Sequence, residues 1–128
     1  MRKTHGLISG EVRLNGVLQD KKSFPRYSGY VEQFDVQSAE LTVRETVLFS
    51  AQLRLDQSHP AATSSETRNR FVNEILDILE LSSYSNHPVG SYEDNVGLTF
   101  EQRKRLSIAV ELAASPSILF LDEVNSSF

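Results

Sequence analysis

A chain of 128 residues with 39% hydrophobic content has the size and composition of a single folded domain. It contains no cysteine, which excludes both a disulfide framework and a cysteine-ligated zinc site. The net charge of -4 argues against a general nucleic-acid-binding protein, because affinity for nucleic-acid phosphates usually comes from a basic surface.

The first two predicted elements are a hairpin and a strand. Residues 8–14 alternate small or apolar with polar side chains and lead into Asn15-Gly16, a pair typical of tight hairpin turns. An antiparallel hairpin is therefore predicted over residues 8–20. The β-forming residues around Tyr30 predict a strand over residues 28–32 that ends in a polar loop at Gln33.

A capping box predicts where the first helix begins. The side chains of Thr42 and Glu45 can each satisfy the other residue's unpaired backbone N–H, and apolar residues follow at helical spacing. We therefore expect a helix over residues 43–54. Residues 57–67 are rich in Ser, Thr and Ala, and they are predicted to form an exposed loop.

Two further helices are predicted from the same kinds of signal. Apolar residues recur at helical spacing over residues 68–81, and the polar residues 82–95 read as a connection. A second capping box, formed by Thr99 and Gln102, then opens a helix over residues 100–114.

The last predicted element is an apolar strand over residues 118–122, of the kind that is buried on both faces of a parallel sheet. Asp122 and Glu123 stand at its carboxyl end, where open α/β sheets bind their ligands. Neighbouring strand residues point to opposite faces, so one carboxylate could hold Mg²⁺ through water while the other positions an attacking water. Taken alone, Leu-Asp-Glu is weak evidence for such a site and fits better a strand that ends in polar residues at the protein surface.

Several stretches of the chain resemble the ATP-binding-cassette (ABC) ATPases, and more closely the pleiotropic drug resistance type of their G subfamily. The stretches that carry the resemblance are residues 28–33, 41–46, 97–112 and 115–123. The resemblance implies an α/β fold, an incomplete P-loop NTPase domain with a partial parallel sheet, a small antiparallel hairpin and a helical subdomain. Residues 1–128 would form part of a nucleotide-binding domain.

The resemblance also implies roles for matching positions. Gln33 corresponds to the glutamine-loop residue that reaches the magnesium ion, and Asp122 to the Walker B aspartate that holds this ion through water. Glu123 corresponds to the catalytic carboxylate. ATP and Mg²⁺ are the implied cofactors. The implied partners are a second nucleotide-binding domain and the transmembrane domain of a transporter, with no nucleic acid among them.

Residues 98–102 occupy the place of the family's Leu-Ser-Gly-Gly-Gln signature, which contacts the ATP bound by the partner domain. Thr99 keeps a hydroxyl and Gln102 keeps the glutamine. Phe100 and Glu101 replace glycines that would let a phosphate approach the backbone, and Glu101 adds a negative charge. The altered signature resembles that of the second nucleotide domain in full-length transporters of this type.

No Gly-x-x-x-x-Gly-Lys-Ser/Thr segment occurs in the 128 residues, and residues 124–128 stand where the family has Pro-Thr-Ser-Gly-Leu-Asp. We therefore expect the phosphate loop to lie upstream, and the dimer-contact aspartate and switch histidine downstream. We expect these residues alone to be soluble and unable to bind or hydrolyse ATP. The intact transporter would be membrane-associated on its cytoplasmic side.

Two other interpretations fit the same sequence. The chain could be a non-catalytic interaction module that docks on a transporter through its glutamine-loop and helical region. It could also be a truncated copy without a cellular function.

Overall fold

The computed structural model describes residues 9–20, 22–32, 37–91 and 96–122. Its helices and strands are, in chain order, β1 (Arg13–Leu14), β2 (Val17–Leu18), α1 (Phe24–Tyr27), β3 (Ser28–Val31), α2 (Val43–Arg54), α3 (Ser65–Ile78), β4 (Gly90–Ser91), β5 (Val96–Gly97), α4 (Phe100–Leu112) and β6 (Ile118–Leu121). Across these ranges, no helix has both the length and the apolar character that crossing a membrane requires.

Asp122 follows a strand of a parallel pair, β3 and β6. Strand β3 pairs with β6, with Ser28 opposite Ile118 and Val31 opposite Leu121. Helix α4 lies between the two strands in sequence and packs on β3. Because the strands are parallel, their carboxyl ends meet at one edge of the sheet, which confirms the predicted α/β arrangement.

The prediction that the last strand is buried on both faces is wrong, because Ile118 and Leu119 are only half-buried and the two residues after them are exposed. Phe120 is 45% exposed and Leu121 is 53% exposed. The reason is that β6 pairs only with β3 among the described residues, so the sheet has two strands there. An apolar run fixes the strand conformation, whereas burial depends on what packs against it.

The hairpin of β1 and β2 forms at the predicted place, with Arg13 opposite Leu18. Its two turn residues, Asn15 and Gly16, have φ values of 48° and 82°. Positive φ at both positions gives a turn whose twist matches the strands, which is why this pair favours hairpins.

The first predicted helix is confirmed over 43–54, and the other two need their ends corrected. Helix α3 begins at Ser65, three residues earlier than predicted, because Ser64 and Thr67 form a capping box that the apolar spacing did not reveal. It ends at Ile78 and α4 ends at Leu112, short of the predicted ends at 81 and 114.

The two segments predicted as connections contain more structure than expected. A 3₁₀ turn at Pro60–Ala62 occupies the first, capped by His59, whose Nδ1 accepts a hydrogen bond from the backbone N–H of Ala61 at 3.1 Å. The second holds a 3₁₀ turn at Ser82–Tyr84 and the strand β4, which pairs antiparallel with β5.

The apolar core lies among α2, α3 and α4 and the segments that join them. Its buried members are Val43, Val47, Ala51, Val72, Ile75, Leu76, Leu81, Val89, Leu98, Leu106, Ala109 and Ala113. This three-helix core forms the helical subdomain expected from the sequence. Its members from α4 are Leu106 and Ala109, in the middle of that helix.

Candidate functional site

Asp122 stands immediately after β6, at the carboxyl edge of the parallel pair. Its backbone N–H donates to the carbonyl oxygen of Val31 at 3.2 Å, which continues the pairing one residue past the strand. Its carboxylate oxygen Oδ2 accepts a hydrogen bond from the hydroxyl of Tyr30. This hydrogen bond is the main reason that the pKa of Tyr30 is raised above its ordinary value, because ionising the phenol would place two anions together.

Gln33 and Glu123 lie outside the described residues. In the sequence, Gln33 comes two residues after Val31, the end of β3, and Glu123 directly follows Asp122. The strands that precede them end at the same edge of the sheet. We therefore expect Gln33 and Asp122 to lie at the same end of the sheet, which stays a prediction that the parallel pairing favours.

Thr99 and Gln102 form the amino-terminal cap of α4. The Thr99 hydroxyl accepts a hydrogen bond from the backbone N–H of Gln102 at 3.3 Å. The Gln102 side-chain oxygen accepts one from the backbone N–H of Thr99 at 2.9 Å. Both side chains therefore serve the helix start, as the capping-box pattern predicts.

Phe100 and Glu101, which lie between Thr99 and Gln102, give the first turn of α4 a bulky and acidic surface. Phe100 is 41% exposed, and the Lys104 ammonium lies 5.4 Å from the centre of its ring. The Glu101 side chain is 84% exposed, with an Arg105 nitrogen 3.9 Å away. The positive end of the helix dipole thus carries an aromatic ring and a carboxylate in place of bare backbone.

A buried arginine fixes the segment that leads into α4, and the sequence did not reveal this role. Arg103 is 5% exposed, and its guanidinium donates to the carbonyl oxygens of Gly90 at 2.8 Å and of Leu98 at 3.1 Å. In the sequence Arg103 reads as part of a short basic run. The signal that could have found it is helical spacing, because Arg103 lies one turn after Thr99 and on the same side of the helix as Leu106.

The structure thus divides the candidate residues into two groups. Asp122 is tied to Tyr30 and Val31 at the sheet edge, and Thr99 is tied to Gln102 at the start of α4. Within the described part of the chain, no recorded hydrogen bond joins Asp122 to either member of the second group.

The sequence matches the model of a known protein family. The family model for ABC transporters matches residues 1–126. The chain belongs to the ABC transporter family.

The chain is similar in sequence to plant ABC transporters of the G family. It is 49% identical over 125 residues to ABC transporter G family member 49 of Oryza sativa subsp. japonica. It is 51% identical to ABC transporter G family member 32 of Arabidopsis thaliana and 47% identical to pleiotropic drug resistance protein TUR2 of Spirodela polyrhiza. Each alignment covers 98% of this chain and 8% of the relative, so the chain spans about a twelfth of their length.

A solved structure shows the same fold. It is an ABC transporter of the metal-chelate type in an inward-facing conformation, with a TM-score of 0.58 and 22% identity. The similarity covers 80% of this ABC transporter chain and 38% of the solved chain. At this identity the likeness supports the fold alone.

Removing the Thr99 hydroxyl should weaken the start of α4. We expect Thr99→Ala to lower the free energy of unfolding by about 1 kcal/mol, because the backbone N–H of Gln102 loses its acceptor. Urea denaturation of the parent and variant chains would measure this. Thr99→Ser keeps the acceptor and should restore most of the loss. An unchanged stability in Thr99→Ala would contradict the capping role.

Proposed function

We propose that this chain supplies part of the ATP-binding and hydrolysing domain of a pleiotropic-drug-resistance-type ABC transporter, which couples ATP hydrolysis to transmembrane transport. The observation that carries the proposal is the place of Asp122, at the carboxyl edge of a parallel strand pair whose other strand leads to Gln33. Ligands of open α/β sheets bind beyond this edge. The family match and the G-family relatives support the same function.

The carboxylate of Asp122 is a suitable ligand for the magnesium ion of such a site. Mg²⁺ prefers oxygen ligands and retains several waters, and the half-buried Asp122 offers a carboxylate with one oxygen already hydrogen-bonded. In the proposed site Asp122 and Gln33 would hold the ion through water, and Glu123 would orient the attacking water and accept its proton. The ion, when bound, neutralises charge on the phosphates of ATP.

The start of α4 would face the ATP held by a second nucleotide-binding domain. Thr99 and Gln102 would lie nearest that nucleotide. The Phe100 ring fills space that glycine leaves open, and the exposed Glu101 carboxylate repels a polyanion. We therefore propose that this signature serves the weaker of two composite sites, as in the second nucleotide domain of a full-length transporter. Glu123 would act in the competent site.

The remaining partners and location follow from the same proposal. Residues 1–128 would be part of a nucleotide-binding domain on the cytoplasmic side of the membrane, in contact with a transmembrane domain. A non-catalytic docking module is the second candidate. Its support is an apolar pair on α2, where Phe49 is 58% exposed and Leu53, one turn later, is 69% exposed.

A chimeric transporter tests the proposed function directly. The chain would replace the matching 125 residues of the rice G family member 49, and ATP hydrolysis would be measured in membranes. We expect Asp122→Asn to reduce hydrolysis by about 100-fold, because the ion and its waters lose their charged anchor. The matched control is Glu74→Gln, which removes an exposed carboxylate on α3.

The outcomes separate the two candidates. Full activity in Asp122→Asn would contradict the assigned role of Asp122. A chimera that assembles but hydrolyses no ATP, with its assembly lost in Phe49→Ser, would favour the docking module.

A further inference from the structure

We propose that Tyr30 is a positioning residue for Asp122, and that a side-chain pair between α2 and α4 holds Tyr30 in place. The pair is formed by Arg54 and Glu111. The inference rests on the proposed function in one respect, namely that Asp122 is the carboxylate that holds the magnesium ion. The contacts themselves are independent of that function.

The hydroxyl of Tyr30 fixes the direction of the Asp122 carboxylate. Tyr30 lies opposite Phe120 in the parallel pair, and Asp122 follows two residues later. Side chains two residues apart on a strand share a face, so Tyr30 and Asp122 stand on the same face as diagonal neighbours. The backbone of Asp122 is anchored to Val31, which leaves rotation about the side-chain bond as its main freedom. The hydroxyl selects one rotamer, binds Oδ2 and leaves Oδ1 for a water or an ion.

The backbone of Tyr30 is held at the open edge of β3. The carbonyl oxygens of Tyr27 and Val31 face β6, since they accept from Ser117 and Asp122. Backbone groups alternate between the two edges of a strand, so the N–H of Tyr30 points away from β6. The Glu111 oxygen Oε2 accepts this N–H at 3.2 Å, and the edge is thereby capped by a side chain from α4.

Arg54 fixes Glu111 in turn. Two parallel hydrogen bonds, each 2.7 Å long, join the guanidinium to both carboxylate oxygens. Such bidentate pairs are the strong and directional form of ion pairing. The Glu111 side chain is only 16% exposed, which reduces screening by solvent.

Gly29 allows the Glu111 side chain to lie close to the edge of β3. A Cβ at Gly29 would lie 3.1 Å from Glu111 Oε2 and 2.9 Å from Leu119 Cδ1, so a larger residue would displace the Glu111 carboxylate from the strand edge. A continuous set of contacts therefore runs from Arg54 at the end of α2, through Glu111 and Tyr30, to Asp122. Through it, the position of the helical subdomain sets the direction of the carboxylate at the sheet edge.

Nuclear magnetic resonance on residues 1–128 tests the inference without nucleotide. The three-bond Hα–Hβ couplings of Asp122 report its rotamer, and Mn²⁺ added alone reports its affinity for a divalent ion. In Tyr30→Phe we expect averaged couplings and a dissociation constant for Mn²⁺ at Asp122 raised about tenfold. Tyr27→Phe is the matched control, since Tyr27 is an exposed tyrosine just before β3, and both readouts should stay at parent values.

Unchanged Asp122 couplings in Tyr30→Phe would overturn the inference, even if the melting temperature fell, because Tyr30 would then be only a structural tether. Glu111→Gln keeps an acceptor for the Tyr30 N–H and loses the charge that binds Arg54, so partial averaging is expected. If Tyr30→Phe did not fold, Asp122→Asn would decide: the Cζ resonance of Tyr30 should shift, and an unmoved resonance would overturn the contact.

These outcomes are distinct from those of the proposed function. An inactive chimera would refute the proposed ATP hydrolysis and would not affect the conclusion about the Asp122 rotamer. A parent chain with one Asp122 rotamer and no Mn²⁺ binding would refute the metal role and retain the positioning contact. Averaged couplings in the parent chain would refute the positioning role and leave hydrolysis by the chimera untouched.

Discussion

Purified residues 1–128 are expected to show no saturable binding of magnesium-ATP at micromolar concentrations. The reason lies in where the binding energy of P-loop enzymes arises. Successive backbone N–H groups and a lysine of the phosphate loop neutralise the β- and γ-phosphates. The 128 residues contain no such loop sequence. Asp122 contributes an anion, which favours the triphosphate only when a magnesium ion lies between them.

Adding a phosphate-loop segment should strengthen the binding of magnesium-ATP at least about 100-fold, which corresponds to roughly 2.7 kcal/mol. The segment that precedes the matching residues in the rice relative would be fused to this chain, and calorimetric titration would compare the two proteins. A fusion whose loop lysine is changed to alanine is the matched control and should bind far more weakly. Saturable micromolar binding by residues 1–128 that Asp122→Ala abolishes would show that another group replaces the loop.

Replacing Gly97 with alanine should cost about 3 kcal/mol or more of the free energy of unfolding. Gly97 has a φ of +99°, and a Cβ there would lie 2.2 Å from the carbonyl oxygen of Val89 and 2.6 Å from the Cα of Gly90. Both obstacles are backbone, so neither can rotate away. The β4–β5 pair would have to open, and Arg103 would lose the Gly90 carbonyl, which is one of its acceptors beside that of Leu98.

Gly16→Ala provides the control that separates strain from steric conflict. Gly16 also has a positive φ, +82°, but a Cβ there meets nothing within 4 Å. The only remaining cost is that of holding a residue with a Cβ at positive φ, about 1 kcal/mol of the free energy of unfolding. Urea denaturation of the three chains would give both values. Equal losses at the two positions would show that the close backbone approach of β4 and β5 contributes nothing. A larger loss at Gly97 together with increased amide exchange at Thr99 would place the damage at the start of α4.

Local signals predicted the fold of this chain well. The capping boxes at Thr42 and Thr99 are confirmed, because both partners of each box lie within four residues of sequence. The turn at Asn15-Gly16 is confirmed for the same reason. The capping box at Ser64 was missed, since its third position is Thr67 where Glu or Gln is the usual partner. Strands β4 and β5 were missed because two residues are too short to show an alternating pattern.

The sequence by itself determined the order of the hairpin, the three long helices and the strands β3 and β6, together with the capped start of α4 and the acidic end of β6, because each depends on residues close together in the chain. Only the tertiary structure decided which residues support these positions. Arg54 and Glu111 are 57 residues apart, and Tyr30 and Asp122 are 92 apart, so their contacts form only when the helices pack on the sheet. Burial of Arg103 likewise depends on β4, where Gly90 supplies one of its acceptors, and on Leu98, which follows β5 and supplies another. Helical spacing can indicate which side of a helix is buried, whereas the hydrogen-bond partners of residues this far apart in sequence are set only by packing.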